Sequence, residues 1–174
     1  VTAPADQTAA LVPAGTPVHA AARAADMLAC YALMLGFDSG PDLPFDAALV
    51  RDADISWISV NSSKPGRPPA KSVVVHSTNA WAGAHLEDEP DAVLRHLLAE
   101  FARVTGADAG KLAHRDLHRW RFANCGSRPG PTHAVDAGRR LAACGDWFVR
   151  GRVEAAFRSA ADLVVSLRRL GTVG

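Results

Sequence analysis

Residues Cys144 to Ala160, CGDWFVRGRVEAAFRSA, set a Gly-Asp pair and a tight Arg-Gly-Arg bend directly ahead of an apolar-periodic helix. The residues just before, RRLAACGD, read as a short buried strand, and Val153 to Leu170 read as the closing helix. A strand that ends in Gly145-Asp146 carries a carboxylate to the carboxyl end of a sheet, which is where α/β folds place their ligands. The bend at Arg150-Gly151-Arg152 then aims the first N–H groups of the helix, from Val153 onward, at the same place. A helix start carries roughly half a positive charge, suited to an electron-rich oxygen or an anionic ring. The plainer reading of these residues is a β-to-α turn with a surface Asp and two solvated arginines.

Outward from this stretch the pattern is one of strands, then a helix, then the separate strand–helix end. Val1 and Thr2 read as the end of a strand that enters a helix from Pro4 to Val12, closed by Pro13 and Gly15. A second helix is expected from about Val18 to Asp26. CYALMLGFD, Cys30 to Asp38, is short and apolar and reads as a buried strand. PDLPFDAALVRD is a hairpin arm or a loop. ISWISVN sets Ile55 and Trp57 against Ser56 and Ser59, meets the turn-rich SSKPGRPP, and is followed by the β-branched KSVVVHST, so an antiparallel meander is expected. After Asp88 and Glu89, with Pro90 in the first turn, Val93, Leu94, Leu97, Leu98, Phe101 and Val104 form one stripe at helical spacing, ended by Gly106. KLAHRDLHRWRFAN reads as a long strand with one solvated face. The order predicts an α+β fold.

The totals narrow the function classes. At 174 residues, 48% hydrophobic and 21% charged, the chain is one ordinary globular domain, or one and part of another. Nineteen basic residues against eighteen acidic ones give a net charge of +1, so nothing electrostatic favours nucleic acid or a membrane surface. Cys30, Cys125 and Cys144 form neither a disulfide framework nor a CxxC, which suits a reducing cytoplasm. No apolar run nears the roughly 20 residues of a membrane helix, and VTAPADQ lacks the basic start of a signal peptide. The expected location is cytoplasmic. A GxSxG elbow is absent, which removes the serine-hydrolase reading. His114 and His118, with Cys125 nearby, supply too few convergent ligands for zinc, so no metal is expected.

ACGDWFVRGRVEAAFRSAADLVVSL resembles the carboxyl-terminal flavin-binding segment of the FAD-dependent amine oxidase superfamily, and within it the bacterial renalase-like oxidoreductases. TAPADQ, ALMLGFD, WISVNSSKPGR, HSTNAWAGAHLE and HRWRFA resemble blocks of the same family in the same order, so the likeness covers nearly the whole chain. It implies FAD as cofactor, held by Gly145, Asp146, Trp147, Gly151, Arg152, Val153 and Glu154, with Thr2 and Pro4 in the same set. Asp146 would contact the ribityl chain, and Arg152, Val153 and Glu154 the pyrimidine edge of the flavin. Arg150 and Ala155 depart from the family, which tends to have glycine at those places.

The resemblance also implies a substrate-binding domain at residues 19–138, between an end of the FAD-binding domain at 1–18 and its returning strand and helix at 139–174. That domain would be an antiparallel or mixed sheet with covering helices, and the returning strand and helix would belong to a Rossmann-like fold. In the substrate-binding domain Asn61, Ser62 and Lys64 offer donors for a polar or phosphorylated ligand, unless they are simply a polar hairpin loop. His76 ends a strand, Trp81 would wall a planar pocket, and His85 would do proton work, although a lone histidine is more often a surface one. Trp120 and Arg121 would border the cavity, with Arg121 holding an anion bidentately; Trp120 as plain core is the alternative. The catalytic residues themselves are not identified.

The family's GxGxxG turn, which holds the FAD pyrophosphate, is missing: none of the fourteen glycines lies two residues from another. The resemblance places that turn upstream of Val1, in cis or in a partner chain, and this chain alone is expected to be inactive. The implied chemistry is hydride transfer from a small molecule, a reduced nicotinamide nucleotide, to flavin, followed by reoxidation by O2 to H2O2. Two alternatives stay open. One is an amine oxidase or desaturase branch of the same superfamily, against which the single tyrosine, Tyr31, weighs for the amine oxidase. The other is a non-catalytic module that needs a partner chain.

Overall fold

The computed structural model describes residues 1–68, 70–126 and 130–171; Pro69, which ends the SSKPGRPP turn, and the last three residues of the expected 139–174 segment lie outside them. The chain divides into two compact units, Val1–Leu28 with Phe122–Gly174, and Ala29–Arg121. The boundaries expected from the sequence fell after residues 18 and 138.

The Ala29–Arg121 unit is a five-stranded sheet backed by helices. Its strands are β1 (Met27–Phe37), β2 (Ala47–Leu49), β3 (Ile55–Val60), β4 (Lys71–Ser77) and β5 (Leu112–Cys125), in the order β2-β3-β4-β1-β5. The pairs β2–β3, β3–β4 and β1–β4 are antiparallel. A plain meander holds only for β2-β3-β4; β1 then pairs with β4, so the first strand sits inside the sheet.

Alternation within the strands sends Leu33, Leu35, Phe37, Val73 and Val75 to one face, where they meet Val93, Leu97 and Phe101 of α4 (Pro90–Thr105). Burying each such side chain is worth about 1.5–3 kcal/mol. The helix is stopped by Gly106 at φ 71°, a left-handed conformation that a Cβ would strain. The short helix α3 (Asn79–Ala84), capped by Thr78, was not expected from sequence.

A bulge between Ile55 and Trp57 corrects the reading that set those two residues on one face. Ile55 pairs with Ser77 and is fully buried, whereas Trp57 pairs with His76 on the face away from the helices. β5 also differs from expectation. Residues 113–116 and 118–121 are exposed on both faces, because β5 is an edge strand and only Leu112 and Leu117 reach the core.

The other unit holds α1 (Ala5–Leu11), α2 (Pro17–Arg23), the antiparallel hairpin of β6 (His133–Asp136) and β7 (Leu141–Cys144), and α5 (Val153–Arg169). β6 was not expected from sequence. Its core gathers Val12, Val18, Cys125, Ala143, Trp147 and Phe148. The Val1 amino group donates to the Ala142 carbonyl at 2.7 Å, and the Cys144 N–H donates to the Val1 carbonyl at 3.1 Å. This bonding brackets Ala143 as in a parallel ladder, so Val1 runs alongside β7 as a strand end would.

Candidate functional site

β7 delivers the chain to Gly145 in an extended conformation, and a single 3₁₀ turn, Asp146–Phe148, follows. Glycine is required at 145 because a Cβ there would come within 2.7 Å of the Trp147 indole nitrogen. Trp147 itself is a core side chain: it is buried, stacks on Phe148 at 3.8 Å and donates its Nε1–H to the Ala3 carbonyl. Trp147, expected among the cofactor residues, is thus engaged in packing, with the whole residue 1% exposed. The Asp146 carbonyl accepts the N–H groups of Val149 and Arg150, which closes the turn. Asp146 is half-buried, and its carboxylate has no hydrogen-bond or ion-pair partner among the described residues.

The bend after this turn is also held by packing. Gly151 donates its N–H to the Cys125 carbonyl, and a Cβ on it would collide with the Asn124 side-chain amide and lie 2.9 Å from the Cys125 nitrogen. Arg152 occupies the cap position of α5 with no side-chain cap bond, so the leading N–H groups of the helix are left to solvent or ligand. Arg152, Val153 and Glu154 are all exposed, Val153 at 92%.

Beneath the turn lies a residue that sequence reasoning missed. Ser159, fully buried in α5, accepts the Gly145 N–H at 2.9 Å and donates to the Thr132 carbonyl at 2.5 Å. The signal available was a small polar residue one turn beyond Ala155 on the small-residue face of the helix. Of the remaining expected cofactor residues, Thr2 is exposed and Pro4 is half-buried at the cap of α1.

In the sheet unit the expected substrate residues separate by face. His76 and Trp120 lie on the open face; Trp120 is 53% exposed and leans on His118 at 4.2 Å. Burial, and then the Lys64 ammonium, hold His76 below its ordinary range, so it is neutral at pH 7. Trp81 and Arg121 stand on the helix side. Trp81 sits edge-on to Tyr31 and stacks on His85 at 4.5 Å and on His96 at 4.8 Å. The two histidines are in turn clamped by Asp88 and Asp54, each at 2.7 Å. The Arg121 guanidinium is engaged by Glu87 at 2.7 Å and is not a free anion fork.

Asn61 and Ser62 open a 3₁₀ turn after β3. The Asn61 side-chain oxygen accepts from the Lys64 ammonium at 2.8 Å, and Ser62 borders a cavity of about 530 Å3 with Phe45, Asp46, Lys71 and Ser72. His114, His118 and Cys125 do not form a metal cluster, and no group of three or more His, Cys, Asp or Glu does so among the described residues. Among those residues no helix is long and apolar enough to cross a membrane.

No protein-family model matches the chain. Among solved structures it is similar to the crystal structure described as "Putative protoporphyrinogen oxidase from Exiguobacterium sp. 255-15", with a TM-score of 0.63 and 12% identity. The match covers 75% of this chain and 30% of that one. The likeness is one of fold, between this α+β chain and part of a longer protein that bears the name of an oxidase.

Proposed function

We propose that this chain is the substrate-facing sheet and the returning flavin-binding segment of an FAD-dependent oxidoreductase similar to renalase. The observation that carries the reading is the Asp146 carboxylate. It is unpartnered, on a half-buried residue just past the end of β7, one 3₁₀ turn and a bend ahead of an uncapped helix start. The residues present fit the cofactor. Asp146 can accept hydrogen bonds from the ribityl hydroxyls, and the leading N–H groups of α5 can face an electron-rich ring edge. Gly145 and Gly151 hold that backbone in place through close packing.

FAD, when bound, supplies the electron sink that takes a hydride from the substrate carbon and is reoxidised by O2 to give H2O2. The chain's own task is to bind and orient. Lys64 and Asn61 offer a cation and an amide at one end of the sheet, and His76, kept neutral, offers a ring nitrogen on the open face. A reduced nicotinamide nucleotide, with a planar ring and an anionic phosphate, suits that set. An amine or a hydrocarbon would make no use of Lys64.

The GxGxxG half, in cis ahead of Val1 or in a partner chain, completes the cofactor site in this reading. The exposed Val153 and Phe157 on α5 support it, because they await an apolar cover.

The test is flavin content. The complete protein should purify with a bound-flavin absorbance spectrum, and this chain alone should not take up added FAD. Asp146→Ala in the complete protein removes charge-assisted hydrogen bonds worth about 1.5–3 kcal/mol, so FAD retention should weaken at least tenfold. Unchanged flavin content would refute the role given to Asp146.

A further inference from the structure

We propose that the cavity between the 41–46 segment and the β3–β4 connection binds a neutral polyhydroxylated ring, a mono- or disaccharide. Asp46 and Lys71 border it from two sides over apolar walls. It lies at the end of the sheet where β1 finishes, opposite the end where the chain enters the unit at β1 and leaves it at β5. The inference goes beyond the flavin reading and does not depend on it.

The register places the polar groups. The pairing of β2 with β3 continues back to Asp46, whose carbonyl accepts the Val60 N–H at 2.8 Å. Val60 pairs with Val73, and Val73 with Leu35 of the core. Alternation puts Asp46, Val60 and Val73 on this one face, and Lys71, opposite Phe37, on it too. Strands lie about 4.8 Å apart and two residues advance about 6.8 Å, so the Cβ atoms of Asp46 and Lys71 stand about 12 Å apart. No ion pair joins the two, and a ring has room between their head groups.

The packing around the cavity holds these groups ready. A Cβ on Gly40 would come within 2.5 Å of the Lys71 Cβ and 2.9 Å of its Cδ, so the lysine stem lies flat on the glycine. The ammonium has one ionic neighbour, Asp42 at 3.8 Å, and such an exposed pair is weak. The Asp46 carboxylate has no hydrogen-bond or ion-pair partner among the described residues. Ser62 accepts the Ser72 N–H at 3.5 Å and keeps its own proton to donate. Leu43, Phe45, Val60 and Val73 supply the apolar walls, and the volume of about 530 Å3 is that of a small-molecule site. Asn61 and Lys64, bonded to each other, do not border it.

The mixture of charges selects the ligand. An anion would face Asp42 and Asp46, and a cation would face Lys71. A hydroxyl both donates and accepts. A ring that carries several can therefore give to the Asp46 carboxylate, take from Lys71 and Ser62, and lay its C–H face on the apolar walls. A zwitterionic amino acid has only two polar ends for these dispersed groups.

The test is titration of this chain with glucose, galactose and cellobiose, beside phenylalanine as a zwitterion and phenylacetate as an anion. NMR shifts of the amides in 41–46, 60–63 and 71–73 report binding. At least one sugar should bind saturably in the millimolar range, with its shifts centred on those segments. Lys71→Met, which keeps the stem on Gly40, and Asp46→Ala should each weaken that sugar by about fivefold or more, as a lost hydrogen bond to a charged group does. Both residues are exposed, and an unchanged circular dichroism spectrum checks that the fold is kept. Phenylalanine and phenylacetate should leave the same amides unshifted. The proposal is overturned by the absence of saturable binding of all three sugars. Tighter binding of phenylalanine or phenylacetate than of the best sugar, or an affinity within twofold of the parent in both variants, overturns it as well.

Discussion

Removing one hydroxyl, in Ser159→Ala, tests the coupling between α5 and the Gly-Asp turn. The Ser159 Oγ is fully buried and holds two backbone groups from different segments, the Gly145 N–H at 2.9 Å and the Thr132 carbonyl at 2.5 Å. Alanine fits the same space but offers neither bond. Each buried backbone group left without a partner costs about 1–3 kcal/mol, and the two share one site, so a total of about 2–4 kcal/mol is expected. For a chain of this size that corresponds to a drop in Tm of roughly 5–15 °C. Urea denaturation followed by circular dichroism and indole fluorescence measures it, and Trp147, the one tryptophan of its unit, reports the unfolding of that part. The turn that presents Asp146 would lose its anchor as well, so flavin retention by the complete protein should fall even where the variant stays folded. A stability loss below about 0.5 kcal/mol, the range of an ordinary surface substitution, would show that these bonds do not hold the turn.

Gly151→Ala should destabilise the same unit by about 1–3 kcal/mol through overpacking against Asn124 and Cys125, and an unchanged denaturation midpoint would contradict the packing described. Asp146→Asn should retain more FAD than Asp146→Ala, since it keeps one acceptor oxygen; equal retention would mean that charge alone matters at that position. Glu100 is the test of pH. The Arg103 guanidinium, bonded to it at 2.7 and 2.9 Å, brings its carboxyl down to about 2, with the Asp54 N–H and His96 adding to the effect. Its ordinary value is about 4.3, so the pair stabilises fully above that pH and loses its contribution as pH falls from about 4.3 towards 2. Glu100→Gln should therefore cost about 1–2 kcal/mol at pH 7, reduced by the exposure of Arg103, with the gap to the parent closing near pH 2–3. A gap that persisted at pH 2 would rule out the ion pair as its source.

The parts of this fold that could be read from sequence are those whose signal is local and repeats. α4 shows about three turns of apolar spacing from Val93 to Val104, and the β7–turn–α5 succession combines an apolar strand, a Gly-Asp pair and an uncapped helix start. α3 and β6 are too short to repeat a pattern: six residues, NAWAGA, give less than two turns, and four, HAVD, give two alternations. The position of β1 inside the sheet depends on pairing with β4 some forty residues later, and no local pattern encodes it. The bulge that turns Trp57 outward is of the same kind, since it exists only relative to the register of β4.

The separation of Trp120 from Arg121 is a different case. Consecutive residues of a strand point to opposite faces, so reading HRWRF as a strand already implied that both could not line one cavity. What lay beyond the sequence was the engagement of Arg121 by Glu87, which comes from the segment after α3.

The composition of α5 bears on what the chain is built to do. Its buried positions are Ala155 and Ser159, small residues that let the helix lie close to the turn. Val153, Phe157 and Val164 form a second, larger apolar stripe, about 160° round the axis at about 100° per residue, and they are 92%, 71% and 44% exposed. A helix that served only to cover the β6–β7 hairpin would turn its largest apolar side chains toward it. Here the larger stripe is left for a second layer, and Val1, bonded to β7 in the parallel manner, lies on a ladder of the kind found in sheets covered on both faces. Both features are what the proposed flavin domain requires: another strand-and-helix layer against the stripe, with its phosphate-binding turn brought to the same end of the sheet as Asp146. In the proposed reading, the unpartnered Asp146 carboxylate and the exposed Val153 belong to one site, of which this chain supplies one side.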